Sequence, residues 1–195
     1  CPSAIKPSQS VNNFTGTGDQ SWCKTDASGN PWSASYTWNG WFYFDQAGDG
    51  GSQSWMSSVG KGGYYTKDSS VRNSAMTPVI SDGIWADAWP MENDAPNHNL
   101  YTGDTQINST ASPANTLGGG HANEMGRLAI SRHGNSSASA PNTWASAAQT
   151  PVGGIIVGLY DGHAEYSKLP NLWNYNWHLN WGQSPAPAVQ IGTPR

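Results

Sequence analysis

The chain has 195 residues, enough for one substantial core and within the usual size of a single domain. Only 11% of its residues are charged, while Gly, Pro, Ser, Asn and Trp are abundant, which excludes a helical bundle and points to a loop-rich β protein. A net charge of −4 gives no basic footprint for nucleic acid, and 11 Trp with 8 Tyr supply too much apolar surface for a disordered chain.

Residues 1–34 are punctuated by Pro2, Pro7, "TGTGD" and "ASGNP" and hold no sustained period, so an irregular strap is expected there. Cys1 and Cys23 match neither a zinc ribbon nor a CxxC pair. They read as one disulfide tying down the N-terminus in an oxidising compartment, against the alternative of two unpaired buried thiols. The stretch "SASYTWNGWFYF" (33–44) is dense in β-branched and aromatic residues and predicts a strand, or a hairpin turning at Asn39-Gly40. A Gly/Ser-rich loop over 45–63 follows, and "MTPVISDGIWADAWP" (76–90) mixes apolar and Asp positions up to Pro90.

From residue 91 to the glycines before His121 the pattern is polar and reads as a long excursion. "GRLAISRHG" (126–134) alternates, with Leu128 and Ile130 on one side, which predicts a strand. In "GIIVGLYDGHAEYSKL", Asp161-Gly162 between alternating runs predicts a hairpin of strands 153–160 and 163–169 on a two-residue type I′ turn. That register pairs Tyr160 with His163, Gly158 with Glu165 and Ile156 with Ser167. It sends Ile155, Val157 and Leu159, with Ala164, Tyr166 and Lys168, to the core. Pro170 opens a short helix in "PNLWNYNWHLNW", with Trp173 and Trp177 sharing a face, and 182–195 is an extended Pro-rich tail.

Chemistry is not concentrated in any one segment. His121, Glu124, His133, Asp161 and His163 are too scattered for a transition-metal set, and there is no HExxH. Asp45 and Asp49 are similar to an oxygen-ligand loop without the closing acid of an EF-hand, so the expectation is no cofactor, with a structural calcium clamp as the alternative. Glu92, Glu124 and Glu165 offer carboxylates with no pair singled out for glycoside hydrolysis, there is no GxSxG elbow, and with Cys1 in first place copper chemistry built on an N-terminal histidine is not expected. The reading is therefore not an enzyme. Exposed Trp and Tyr could stack on sugar rings.

The segments "ASYTWNGWFYF", "TPVISDGIWADAWP", "GRLAISRHG" and "GIIVGLYDGHAEYSKLPNLWNYNWH" occur in an order that resembles the bacterial prepilin-type proteins carrying an H-x9-DG motif, which are similar to type II secretion pseudopilins. The resemblance runs from Cys1 to Trp181. It implies one globular head over 1–195, α+β but β-dominated, with a pilin-like antiparallel sheet, long Trp-rich loops and the N-terminal helix missing. It implies a non-catalytic structural subunit at the cell envelope or surface, partnered by other pilin-like subunits or secretion machinery, with a membrane connection only through the missing helix. The alternative is an extracellular carbohydrate-binding module that meets surface glycans through exposed Trp and Tyr. His133 lies much farther from Asp161 than the motif's spacing, so the resemblance implies a loop insertion between adjacent strands. Arg132, His133, Asp161, Gly162 and His163 form the expected structural motif, with Arg132 and His133 packed near the Asp161-Gly162 turn.

Overall fold

The computed structural model describes residues 4, 16–43, 63–92, 94, 100–101, 124–134 and 152–182. Among the described residues seven strands form a two-stranded antiparallel sheet, β1 (Trp22–Thr25) with β2 (Pro31–Ala34), and a five-stranded mixed sheet. The larger sheet contains β3 (Tyr36–Asn39), β4 (Pro78–Asp82), β5 (Asp87–Ala88), β6 (Gly154–Leu159) and β7 (Ala164–Lys168), in the order β5-β3-β4-β6-β7. Only β3 with β5 is parallel. The helical elements among the described residues are short 3-10 turns, so the protein is β-dominated as expected.

The smaller sheet corrects the expectation of an irregular strap. Asp26 builds its turn: the carboxylate accepts the N–H groups of Ser28 and Asn30 at 2.9 and 2.8 Å, while Gly29 takes a positive φ of 85°. The strands are only four residues each, too short for a period to declare itself. Trp22 is buried beside them, edge-on to Trp32 at 4.9 Å, and donates its indole N–H to the Tyr36 carbonyl. Cys23 is a buried free thiol in place of the expected Cys1–Cys23 disulfide. It packs inward from β1 as a small hydrophobe. Cys1 itself lies outside the described residues, as do Asp45, Asp49, His121, most of the 91–120 excursion and the tail beyond Gly182.

At Asn39-Gly40 the chain does not form a hairpin. Asn39 ends β3 and caps a 3-10 turn over Gly40–Phe42, its side-chain oxygen accepting the Trp41 N–H at 3.1 Å. Its amide donates to the carbonyls of Pro78 and Trp177, both at 2.8 Å. One buried Asn thus joins β3, β4 and the C-terminal segment, and its internal hydrogen bonds offset the cost of burying the amide. Gly40 has a separate reason: a Cβ there would lie 2.2 Å from the Trp89 indole.

The 126–134 segment is also corrected. It begins as a 3-10 turn, Glu124–Arg127, and contributes only a bridge between His133 and Gly154. Its amides are spent elsewhere: Ile130 N–H bonds the Leu128 carbonyl, Arg132 N–H the Ile130 carbonyl, and Ser131 N–H reaches Leu100. Both sides of the alternating run are enclosed, with Leu128, Ala129 and Ile130 at 0–1% exposure. The pattern therefore did not distinguish a sheet face from solvent.

These residues pack with Ile155, Val157 and Leu159 on the inner face of β6, and with Leu169, Leu172, Tyr175 and Trp177. Burial on the order of 1.5–3 kcal/mol per large side chain makes this layer the main apolar contribution to the fold. The C-terminal helix is shorter than expected, a 3-10 turn over Leu169–Asn174 that excludes Trp177. Trp177 instead folds back and donates its indole N–H to the Leu172 carbonyl at 2.7 Å. A second aromatic cluster joins Trp41, Tyr64, Tyr65 and Trp89.

Candidate functional site on the open sheet face

The β6–β7 hairpin forms with a different register from the one expected. Ile156 faces Tyr166, Val157 faces Glu165 and Gly158 faces Ala164. The loop has three residues, Tyr160-Asp161-Gly162: Gly162 N–H bonds the Leu159 carbonyl, and Leu159 N–H bonds the His163 carbonyl. This is a three-residue loop that ends in a left-handed Gly162, φ 94°, in place of a two-residue type I′ turn. A slip of one residue exchanges the faces of β7. Ile155, Val157 and Leu159 do reach the core, but Tyr166 goes to the other side, 46% exposed, and His163 lies opposite Leu159.

Asp161 Oδ1 accepts the His163 backbone N–H at 3.2 Å and sits 2.6 Å from His163 Nδ1. Slight burial acts upward on the Asp161 carboxyl, but these bonds outweigh it and hold the group below its ordinary range. Arg132 and His133 are not at this turn. His133 pairs with Gly154, the opposite end of β6, because the 128–134 segment enters the sheet there. Its Nε2 lies 2.9 Å from Oδ2 of the fully buried Asp82. Arg132 donates to the carbonyls of Thr17 and Gly83 at 3.1 and 3.0 Å. Burial pushes its guanidinium pKa down, partly opposed by Asp82 and Asp19.

Sequence reasoning named Glu92, Glu124 and Glu165 without their partners, and did not single out the buried Asp82 and Asp94. Glu92 accepts from the Gly182 N–H and lies 2.9 Å from His178 Nε2; burial acts upward on its carboxyl, but these contacts outweigh it and the pKa falls. Glu124 pairs with Arg127 at 2.9 Å, and Arg127 also reaches Asp87, which accepts the Tyr43 hydroxyl hydrogen. Asp94 accepts the Met91 and Met125 N–H groups, and its burial raises the carboxyl to about 7. Glu165 accepts from Tyr175, whose hydroxyl burial and that carboxylate push up to about 12. Each acid joins separate stretches of chain. Among the described residues no group of three His, Cys, Asp or Glu side chains is arranged to hold a metal ion.

The outer face of the large sheet is different. Register aligns Trp38, Ile80, Gly158 and Ala164 across four strands. Tyr36, Ile156 and Tyr166 share that face, each two residues from a member of the row. Trp38 is 54% exposed and Tyr36 41%, while the intervening Thr37 and Asn39 are buried. The strict alternation of Tyr36-Thr37-Trp38-Asn39 was the signal in the sequence for an aromatic platform. Tyr36 and Tyr166 stand three strand spacings apart, roughly 14 Å. The platform offers flat apolar rings beside polar edges, suited to stacking and to protein contact. No helix among the described residues is long and apolar enough to cross a membrane.

Comparison with family models, curated proteins and solved structures finds no match for this chain.

Proposed function

We propose that the chain is the globular head of a pilin-like or pseudopilin-like structural subunit, acting in a cell-envelope or surface filament or a type II secretion-like assembly without catalysis of its own. The observation that carries this reading is the division of labour in the sheet. The polar groups with chemical potential, Asp82, Glu92, Asp94, Glu124 and Glu165, are engaged in internal bonds. The outer face presents Tyr36, Trp38 and Tyr166 for contact. Other subunits or secretion machinery are the natural partners of such a face, since aromatic rings supply large contact area at small entropic cost. Immunogold electron microscopy of the producing cells tests it: label on surface filaments or in envelope clusters is expected, and uniform cytoplasmic label would overturn it.

A second reading is favoured by the same rings. Two or three exposed aromatic side chains over roughly 14 Å would suit an extended neutral glycan better than a single sugar. A glycan array read with the intact chain and with Trp38→Ala separates the readings: loss of saturable binding in the variant supports glycan recognition, and silence from both leaves the face to protein partners.

A further inference from the structure

Loops 63–77 and 175–181, outside the strands of the aromatic platform, enclose a cleft of about 120 Å³. This is well below the ~300–1,000 Å³ of sites that take drug-sized ligands, so it admits one ring-sized group rather than a nucleotide or a cofactor.

The base of the cleft is fixed by bonds between the two loops. Tyr65 donates its hydroxyl hydrogen to the Asn176 carbonyl at 2.9 Å, and Asn176 N–H bonds the Met76 carbonyl at 2.7 Å. Thr77 Oγ1 donates to the Asn73 carbonyl at 2.7 Å. Trp181 lines one side, held by its indole bond to the Trp173 carbonyl and by edge contact with His178 at 5.2 Å.

Three polar side chains at this cleft are not so occupied. Arg72, Asn73 and Asn176 line it, and none of their side chains has a hydrogen-bond or ion-pair partner among the described residues. Asn73 precedes a 3-10 turn, where an Asn side chain commonly caps, yet it makes no cap bond. Asp68, the acid nearest Arg72 in sequence, is bonded to the Tyr160 hydroxyl. His178 also lines the cleft, and it is paired with the buried Glu92. Arg72 therefore presents an uncompensated fork of donors in a chain whose net charge is negative.

We propose that this cleft binds one carboxylated sugar residue, a uronic acid of a glycan, with its carboxylate on Arg72, ring hydroxyls on the amides of Asn73 and Asn176, and its apolar ring face against Trp181. The carboxylate follows from Arg72, whose guanidinium matches carboxylate geometry. The sugar follows from the amides. Each carries both donors and an acceptor, as hydroxyls do, whereas a peptide carboxyl terminus would call for donors alone. The aromatic wall and the single-ring volume fit the same ligand. This site is independent of the structural-subunit reading and of the Trp38 platform.

The test is a two-dimensional NMR titration of the full chain with sodium glucuronate, following the Trp181 indole N–H and the side-chain amides of Asn73 and Asn176. Saturable shifts at these groups are expected, with Kd in roughly the millimolar range set by a small, open site. Glucose should bind at least about ten-fold more weakly, and Arg72→Gln should weaken glucuronate by a similar factor. Arg72 is exposed, so that variant should keep the fold; Asn73→Ala, also at an exposed position, provides an independent loss of affinity. Absence of saturation, equal affinity for glucose, or equal affinity for acetyl-dialanine would each overturn the proposal, the last by showing a carboxylate site indifferent to sugar. None of these outcomes bears on where the chain is found in cells, which tests the structural reading separately.

Discussion

His133 Nε2 lies 2.9 Å from Asp82 Oδ2, and the same carboxylate oxygen accepts the Ile156 N–H at 2.8 Å. One fully buried oxygen thereby ties β4 to β6 and to the segment that enters the sheet at His133. The neighbouring Arg132 is also buried, and Asp82 helps keep it charged. This polar junction, rather than the hairpin turn, is where the chain brings its expected Arg and His into use.

Replacing Asp82 with Ala should therefore be costly. It removes the acceptor of a buried amide and of His133, and leaves the Arg132 charge less compensated. Loss of a partner in such a buried network costs ~2–4 kcal/mol, a fall in Tm of roughly 5–15 °C for a chain of this length. Asp82→Asn keeps an acceptor and should lose less. A thermal melt in which Asp82→Ala behaves as wild type would show that the junction contributes nothing to stability.

The sequence showed some of this and concealed the rest for identifiable reasons. Ile155, Val157 and Leu159 were legible as core because period-2 burial is imposed by the pleat. Tyr166 was assigned to the wrong face because Asp-Gly permits both two- and three-residue loops, and a difference of one residue inverts a strand. The 126–134 run looked like a strand because alternation reports two environments, and here both are inside the protein. Asn39 read as a turn residue, whereas its three side-chain bonds reach 39 and 138 positions along the chain as well as its own cap. The outer aromatic face left only the alternation of Tyr36-Thr37-Trp38-Asn39 in the sequence, and it took the register to align Trp38 with Ile80 and Gly158.

Gly162 tests the turn directly. Its φ of 94° is closed to β-branched residues, and a Cβ there would meet no atom within 4 Å, so substitution strains the backbone alone. Gly162→Val should cost about 1–2 kcal/mol, lowering Tm by roughly 2–8 °C, and Gly162→Asn should cost less because Asn tolerates positive φ better. Equal melting temperatures for wild type and the Val variant would refute the left-handed assignment.

Trp38 separates contact from stability. More than half exposed at 54%, its ring contributes little to the core, and Trp38→Ala should change folding stability by no more than about 0.5 kcal/mol. If the outer face is the contact surface, the same variant should lose assembly or glycan binding while its melt is unchanged. A large drop in Tm would mean that the ring is structural and that the platform is not available for partners.

Asp94 makes a prediction about pH. Burial raises its carboxyl from 3.8 to about 7, with Glu124 adding to the rise and the Met125 and Met91 N–H groups opposing it. The folded chain therefore holds a proton that the unfolded chain releases near pH 4. The stability that this preference contributes is fully present below that pH, falls as pH rises, and is gone above about 7. Asn in this position resembles the protonated acid, and its oxygen can accept the same two N–H groups that now bond Oδ2. Asp94→Asn should thus gain on the wild type between pH 4 and 7 and be the more stable protein at pH 8, by at most ~4 kcal/mol for a rise of this size. Urea unfolding of both proteins at pH 5 and pH 8 reads the difference directly. The same gap at the two pH values would mean that Asp94 is ionised in the folded chain throughout, with its charge held by the two amides despite burial.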